Sequence, residues 1–539
     1  MRIFQLNKVE PYVFYLVTLF NLIPVVSYQF FPTFDGAVHL HNANLVSQLL
    51  FEKNDFLQPF YGIITTPNPS WFGRFFLILF KLFLPGYFAE KLINIIYIIG
   101  FAFSFRFLIK TIQSSNIIFS YLIFPFIYSY FLFLGFYNFS LGIVFMLLSI
   151  TYWIKFEKEG FNYKKHLFVF LLFVLTYFSH LFSFLWLLVF ISIFTIAQVI
   201  VNGFNEDTGL KNIVFICLRK GLLLFALFVV PLVFFILYAN ENSINSDKIY
   251  IDKNLLIEWI KNVRPLIALS EKDEMITKKM FYLIMVLITI AIYIRIENVC
   301  IKGDGFRTKI NSFLRTFFNL KDVWIIFAFL LLFFYFRLPN TWGHVGYISV
   351  RLLYFFFIFL IIWLCVQPFP KWLGILSVVV VLFCNVIFIR YYTKEMEGLS
   401  KTAASCYNAS EKINPNSIVL PLFWSEHWYY PHFSNYLGIE KPMIILENYE
   451  IVNNYFPLKW NSELMPKLAL GNLKVRNADC KNWGKIQSND SHKKIEYVFI
   501  LGDMKLRNDS CDNLIKQELN VHYELTYSVN NCHLFKLKQ

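Results

Sequence analysis

The stretch FPTFDGAVHLHNANLVSQLLFEKND, residues 31–55, decides how the chain is read. It follows directly on an apolar run and sets one Asp and two His where a first membrane crossing would end. Taken as a helix at about 100° per residue from Asp35, it has a broad apolar face of Val38, Ala43, Leu45, Val46, Leu49 and Leu50. His41, Asn44, Gln48 and Glu52 form an opposite, wet face, while Asp35, His39 and Asn42 fall in the middle of the apolar one. Polar groups turned inward on an interfacial helix cost free energy unless they are paired or used. Asp35 and His39, four residues apart, can share a proton or a ligand. The alternative, a helix that starts at Gly36 with Asp35 as its N-cap, leaves His39 and Asn42 unexplained.

Composition fixes the solvent around this stretch. With 57% hydrophobic, 20% aromatic and only 16% charged residues, a chain of 539 residues is too apolar for an ordinary soluble domain and reads as a polytopic α-helical membrane protein. The net charge of +14 lies in short Lys/Arg clusters between apolar runs. That distribution is the positive-inside pattern with a bias toward anionic lipid, and no nucleic-acid partner is expected. The first apolar run is long, ends in aromatics and lacks a small-residue cleavage site, so it stays attached as the first span.

One crossing takes about 20 residues. Residues 116–154 and 166–201 are therefore hairpins, the first bending at GFYN (135–138) and the second at His180. WFGRFFLILFKLFL (71–84) is short, carries Arg74 and Lys81, and lies along the interface. About eleven spans follow, near 11–31, 88–107, 116–134, 138–154, 166–179, 181–201, 219–239, 279–296, 322–338, 351–366 and 372–391. The basic loops at 155–165 and 295–321 belong inside, which puts the N-terminus in the cytoplasm and the C-terminus outside.

Residues 1–392 thus form a transmembrane domain whose first outer loop is 32–87, and 393–539 an extracytoplasmic α/β or α+β domain. NSIVLPL, KPMIILEN, IEYVFILGD, YELTYSV and NCHLFKLK read as strands and NDSCDNLIKQEL as a helix. Cys406, Cys480, Cys511 and Cys532 allow three pairings, of which Cys511 with Cys532 would tie the helix to the last strand pair. Without C-x-x-C spacing no zinc site is expected.

Other unusual residues gather on the outer side. The hairpin tips bring Tyr137, Asn138 and His180, and RLPNTWGHVGYISVR (337–351) adds Arg337, Trp342, His344, Tyr347 and Arg351. Arginines at outer span ends run against the inside bias and are candidates to hold a phosphate, with snorkelling anchors as the plain alternative. A lone His180 on an apolar hairpin also fits a structural residue with satisfied nitrogens.

A first span, an outer loop with an acid and interfacial helices, many further spans and an outer C-terminal domain resemble the GT-C class of integral-membrane glycosyltransferases. FDGAVHLHNANLV, PNPSWFGRFFLILFKLFLPGYFAEKLINIIYII, GFYNFSLGI and YFSHLFSFL look like a bacterial GT-C-like family of inner-membrane proteins, the likeness covering the N-terminal third best. The resemblance implies that the acid of the first outer loop, here Asp35, activates the acceptor hydroxyl. Some members carry two adjacent acids; Phe34 and Gly36 flank this one, which speaks against metal-assisted variants.

The chemistry fits the residues as well. A sugar on polyprenyl phosphate has a good leaving group, so a base and a cationic clamp suffice. Asp35 is expected as base with His39 tuning it, and Arg351, helped by Arg337 or His344, as clamp; Asn42, Tyr137, Asn138, His180, Trp342 and Tyr347 complete the substrate contacts. A single carboxylate implies inversion. The partners are then a polyprenyl-phosphate sugar, a glycan, lipid or protein acceptor, and membrane lipid. No cofactor is expected, although Asp35 with His39 offers two ligands to a divalent cation. Trp424, Trp428, Tyr429 and Tyr430 offer flat faces to a sugar ring, or else build a domain core or membrane belt. A transporter or lipid flippase is the rival class, and a scaffold is a third; the gathering of polar groups at one surface favours the transferase.

Overall fold

The structure, a computed structural model, describes residues 2–160, 162–206, 209–241, 247–269, 272–301, 319–343, 345–453, 456–461, 463–464, 494–504 and 510–538. It is mostly helical with a C-terminal sheet domain. Among the described residues eight helical stretches are long and apolar enough to cross a membrane: Lys8–Val26, Gly86–Phe133, Tyr137–Glu159, Leu181–Gly203, Leu210–Asn240, Lys272–Glu297, Ile348–Cys365 and Lys371–Lys412. The chain gathers into two compact units, one of Met1–Leu22, Tyr97–Leu132 and Asn138–Arg390, the other of Ile23–Ile96, Phe133–Tyr137 and Tyr391–Gln539.

In the first unit, helix Ile348–Cys365 is buried along its whole length, as its all-round apolar sequence requires. Two arginines on its helices are paired: Arg106 grips both oxygens of Glu10 at 2.8 and 2.6 Å, and Arg295 meets Asp322 at 2.6 Å. The stretch 116–134 is not one helix. It is a 3-10 segment, Ser114–Ile123, followed by single turns Phe124–Ile127 and Tyr130–Phe133. Asn116 leaves helical geometry there to donate to the carbonyl of Cys365 at 3.1 Å, and Pro125 removes a backbone donor. The spans expected at 166–179 and 322–338 are helices of 17 and 15 residues, Tyr163–Ser179 and Val323–Arg337.

The second unit carries helix α1 (Gly36–Leu50), strand β1 (Tyr61–Ile63), helix α2 (Phe72–Lys81), strands β2 (Ser417–Trp424), β3 (Met443–Ile445), β4 (Leu458–Trp460) and β5 (Tyr497–Gly502), helix α3 (Ser510–His522), and strands β6 (Tyr523–Val529) and β7 (Cys532–Leu537). The sheet runs β3-β2-β5-β7-β6, with β3, β2 and β5 parallel and β7 and β6 antiparallel. All five segments read as strands from the sequence are strands of this sheet, and α3 is the helix expected between them. β2, an interior strand, is buried on both faces, as parallel strands are, and its near-continuous apolar run supplies both. β1 pairs antiparallel with β4, so the first loop is stitched to the C-terminal segment, and Leu45, Val46, Leu57 and Phe60 share one core with Ile418, Leu420, Val498 and Ile500. α2 has ten residues, about half of what a crossing needs.

Two sequence expectations change here. α1 has no wet face: His41, Asn44 and Gln48 are as buried as Asp35, His39 and Asn42, because residues 433–441 cover that side and Asn44 donates to the carbonyls of Gly438 and Lys441 at 2.9 and 3.0 Å. Cys532, expected opposite Cys511, has its Sγ 3.3 Å from that of Cys406, since β7 begins beside the end of helix Lys371–Ala409. Cys480 and the Cys511 side chain lie outside the described residues.

Candidate active site

Backbone contacts from the GFYN loop set Asp35 in place. Phe34 N–H donates to the Phe133 carbonyl at 2.9 Å and Asp35 N–H to that of Leu134 at 3.1 Å, while Gly135 turns the loop at φ +81°. Gly36 follows because nothing larger fits: a Cβ there would stand 1.9 Å from Glu90 Oε1. Asp35 does occupy the N-cap position of α1, yet its side chain makes no capping hydrogen bond. The carboxylate is buried, and among the described residues Oδ1 has no hydrogen-bond partner.

The residues around it come from the carboxyl ends of two parallel strands, where open α/β sheets place their sites. The loop after β2 supplies Trp428, Tyr429 and His432; the segment after β3 supplies Glu447, Asn448, Tyr449 and Glu450. His432 Nδ1 donates to Glu447 Oε1 at 3.0 Å, and Asn435 holds the other Glu447 oxygen at 2.6 Å. With Nδ1 so occupied, His432 Nε2 looks toward Asp35 Oδ1 at 3.8 Å, and Tyr449 hydrogen-bonds the same carboxylate. The Phe34 ring stands edge-on to His432 at 5.0 Å and stacks on half-exposed Trp428 at 5.9 Å, so an aromatic row leads from the surface to Asp35.

On the other side His39 donates with both nitrogens, Nδ1 to Glu450 Oε2 and Nε2 to the Gly135 carbonyl, each at 3.0 Å. Neither partner can donate, so the ring carries two protons and a charge. Glu450 also accepts from Arg74 Nη2 and Asn42 Nδ2, each at 3.0 Å. A fourth acid, Glu90, accepts from Tyr137 at 2.7 Å and Thr33 at 3.3 Å.

Burial sets the electrostatics first. It raises the Asp35 carboxyl from its ordinary 3.8 to about 6, with His432 and then His39 pulling it partway back. On His39 and His432 burial opposes the charge, but Glu450 and Glu447 respectively outweigh it and hold both pKa values above the ordinary one. For Glu450 burial is outweighed by His39 and Arg74, which bring it to about 2. His41, with no hydrogen-bond partner on either nitrogen among the described residues, is pushed down to about 3 by burial and then by Lys81.

Of the residues singled out from sequence, Asp35, His39, Asn42 and Tyr137 come together in this unit. Asn138, His180, Arg337, Trp342, Tyr347 and Arg351 belong to the other unit, and His344 lies outside the described residues. There, His180 breaks the hairpin in extended geometry and caps helix Leu181–Asn205 by accepting from Phe182 N–H at 3.1 Å, a structural task. Its ring packs on Phe139 at 5.1 Å, and the Arg351 guanidinium lies over the same ring at 5.5 Å. Tyr347, at φ +58°, precedes helix Ile348–Cys365 and meets Tyr130 edge-on. Arg337 lies over Phe333, and Trp342 under Lys248. Sequence reasoning missed Glu90, His432, Glu447, Tyr449 and Glu450 and gave Arg74 no partner. The signal for three of them was ILENYE, two acids and a tyrosine directly after an apolar strand.

No protein-family model and no curated protein matches the chain. Among solved structures, the crystal structure of ArnT from Cupriavidus metallidurans bound to undecaprenyl phosphate aligns with 98% of this chain and 98% of that chain, at 9% identity and a TM-score of 0.46.

Proposed function

We propose that the chain is a membrane glycosyltransferase of the GT-C kind, which moves a sugar from a polyprenyl-phosphate donor to an acceptor hydroxyl on the extracytoplasmic side with inversion. The observation that carries this reading is the buried Asp35 Oδ1, which has no hydrogen-bond partner among the described residues and is backed by His432 and Glu447. A carboxylate held this way is poised to take a proton at neutral pH, because its pKa of about 6 lies near the working range of a general base.

In the proposed step Asp35 removes the proton of the acceptor hydroxyl as that oxygen attacks the anomeric carbon. The bond from that carbon to the phosphate oxygen breaks, and the phosphate leaves with the electron pair. Among the described residues the neighbouring carboxylates are engaged by other groups, Glu447 by His432 and Asn435, Glu450 by His39, Arg74 and Asn42, and Glu90 by Tyr137 and Thr33, so none is free to serve as a nucleophile; displacement is direct and the anomeric centre inverts. His432, whose ring is oriented by Glu447, stabilises the Asp35 carboxylate through its positive charge, with Nε2 turned toward Oδ1. Phe34 and Trp428 offer a sugar ring an apolar face next to the base.

The reading is tested by glycan and lipid mass spectrometry on cells lacking the protein and complemented with wild type or Asp35→Asn. Wild type is expected to restore a sugar modification that Asp35→Asn, inserted at equal level, does not. Equal restoration by both would overturn it.

A further inference from the structure

We propose that Cys406 and Cys532 are joined by a disulfide in the native protein, and hence that the unit carrying Asp35 matures in an oxidising compartment. The two sulfurs lie 3.3 Å apart, both side chains are fully buried, and the residues are separated by 126 positions. Cys406 sits near the end of helix Lys371–Ala409; Cys532 opens β7, hydrogen-bonded into register with Leu501 on one side and Val529 on the other.

The approach is fastened by bonds that do not involve sulfur. Asn530 Nδ2 donates to Ser405 Oγ at 2.7 Å and the Tyr527 hydroxyl to the Ser405 carbonyl at 3.0 Å, so the β6–β7 turn is clamped to the helix beside the thiol pair. Among the described residues no group of three or more His, Cys, Asp or Glu is placed to hold a metal ion.

The reaction balances as thiol–disulfide exchange. One cysteine thiolate attacks the disulfide of a dithiol oxidase, the second displaces the oxidase from the mixed disulfide, and two electrons and two protons leave on the oxidase as a dithiol. Both sulfurs are closed off once β7 has docked, so exchange precedes that docking. The resulting link spans the whole sheet domain and holds its last hairpin to the end of a membrane-crossing helix. It does not depend on the transfer reaction, and its failure leaves that reading untouched.

The test uses wild-type protein in its own membranes, acid-quenched, alkylated with N-ethylmaleimide and digested without reduction. A peptide linking residues 406 and 532 is expected, vanishing on reduction. Alkylated peptides for both cysteines, or a link from Cys532 to Cys511, would overturn the proposal. In purified protein Cys406→Ser, Cys532→Ser and the double variant should each melt lower by roughly 5–10 °C, the double no lower than the singles. Additive losses would refute a shared bond.

Discussion

His432 faces Asp35 across 3.8 Å while its other ring nitrogen is held by Glu447 at 3.0 Å. The longer separation exceeds a hydrogen bond, so at rest the imidazole acts on the carboxylate through charge. Among the described residues the acid's Oδ1 has no hydrogen-bond partner.

Asp35→Asn should lower transfer by about 10²–10⁴-fold, the usual worth of a positioned base. The same change should not destabilise the protein. A folded-state pKa near 6 against an ordinary 3.8 means that ionisation opposes folding increasingly as pH rises from 3.8 to 6, and fully above that. At pH 8 the variant is expected to be more stable by about 1–3 kcal/mol, read from thermal melts in detergent.

Transfer measured against pH should fall on the acid side with an apparent pKa of about 6. His432→Gln removes the cation that most lowers the Asp35 pKa, so the acid limb should move toward neutrality. A profile unmoved by that substitution would detach His432 from the base.

Glu450→Gln strands two buried cations, His39 and Arg74, and should cost about 3–5 kcal/mol in melting experiments. Adding Arg74→Met should recover part of the loss. Because Glu450 is held at about 2 against an ordinary 4.5, its stabilisation is complete above pH 4.5 and is lost as pH falls toward 2. Melting of the wild type between pH 5 and 8 should therefore not track this group.

Gly36→Ala should displace Glu90 and Thr33, whose oxygens would lie 1.9 and 2.5 Å from the new methyl, and lower both stability and transfer. Gly135→Ala adds a strained φ of +81° to a 2.7 Å approach to Thr33 Oγ1. Accumulation and melting temperature of each variant check both expectations.

Part of this arrangement was legible in the chain itself. A helical wheel singles out Asp35, His39 and Asn42, and short apolar or β-branched runs bounded by turn residues mark all five strands of the large sheet. The rest depends on tertiary pairing. His432, Glu447 and Glu450 reach α1 because β2 and β3 run parallel in register, Val419 opposite Ile445, and no local periodicity encodes that register. The wheel also gave α1 a wet face at His41, Asn44 and Gln48, because it cannot tell a side satisfied by protein carbonyls from one satisfied by water.

Placing half of this centre behind β2 and β3 has a consequence for biogenesis. At about 5–20 residues per second, synthesis from Asp35 to Glu450 takes roughly 20–80 s. Throughout that interval the nascent polypeptide is already threading the bilayer, yet it lacks the acids that orient its histidines. Under the proposed reading the buried base is therefore flanked by its histidine–carboxylate pairs only after residues 432–450 have been synthesised, so a shorter nascent fragment holds the aspartate without the groups that set its charge.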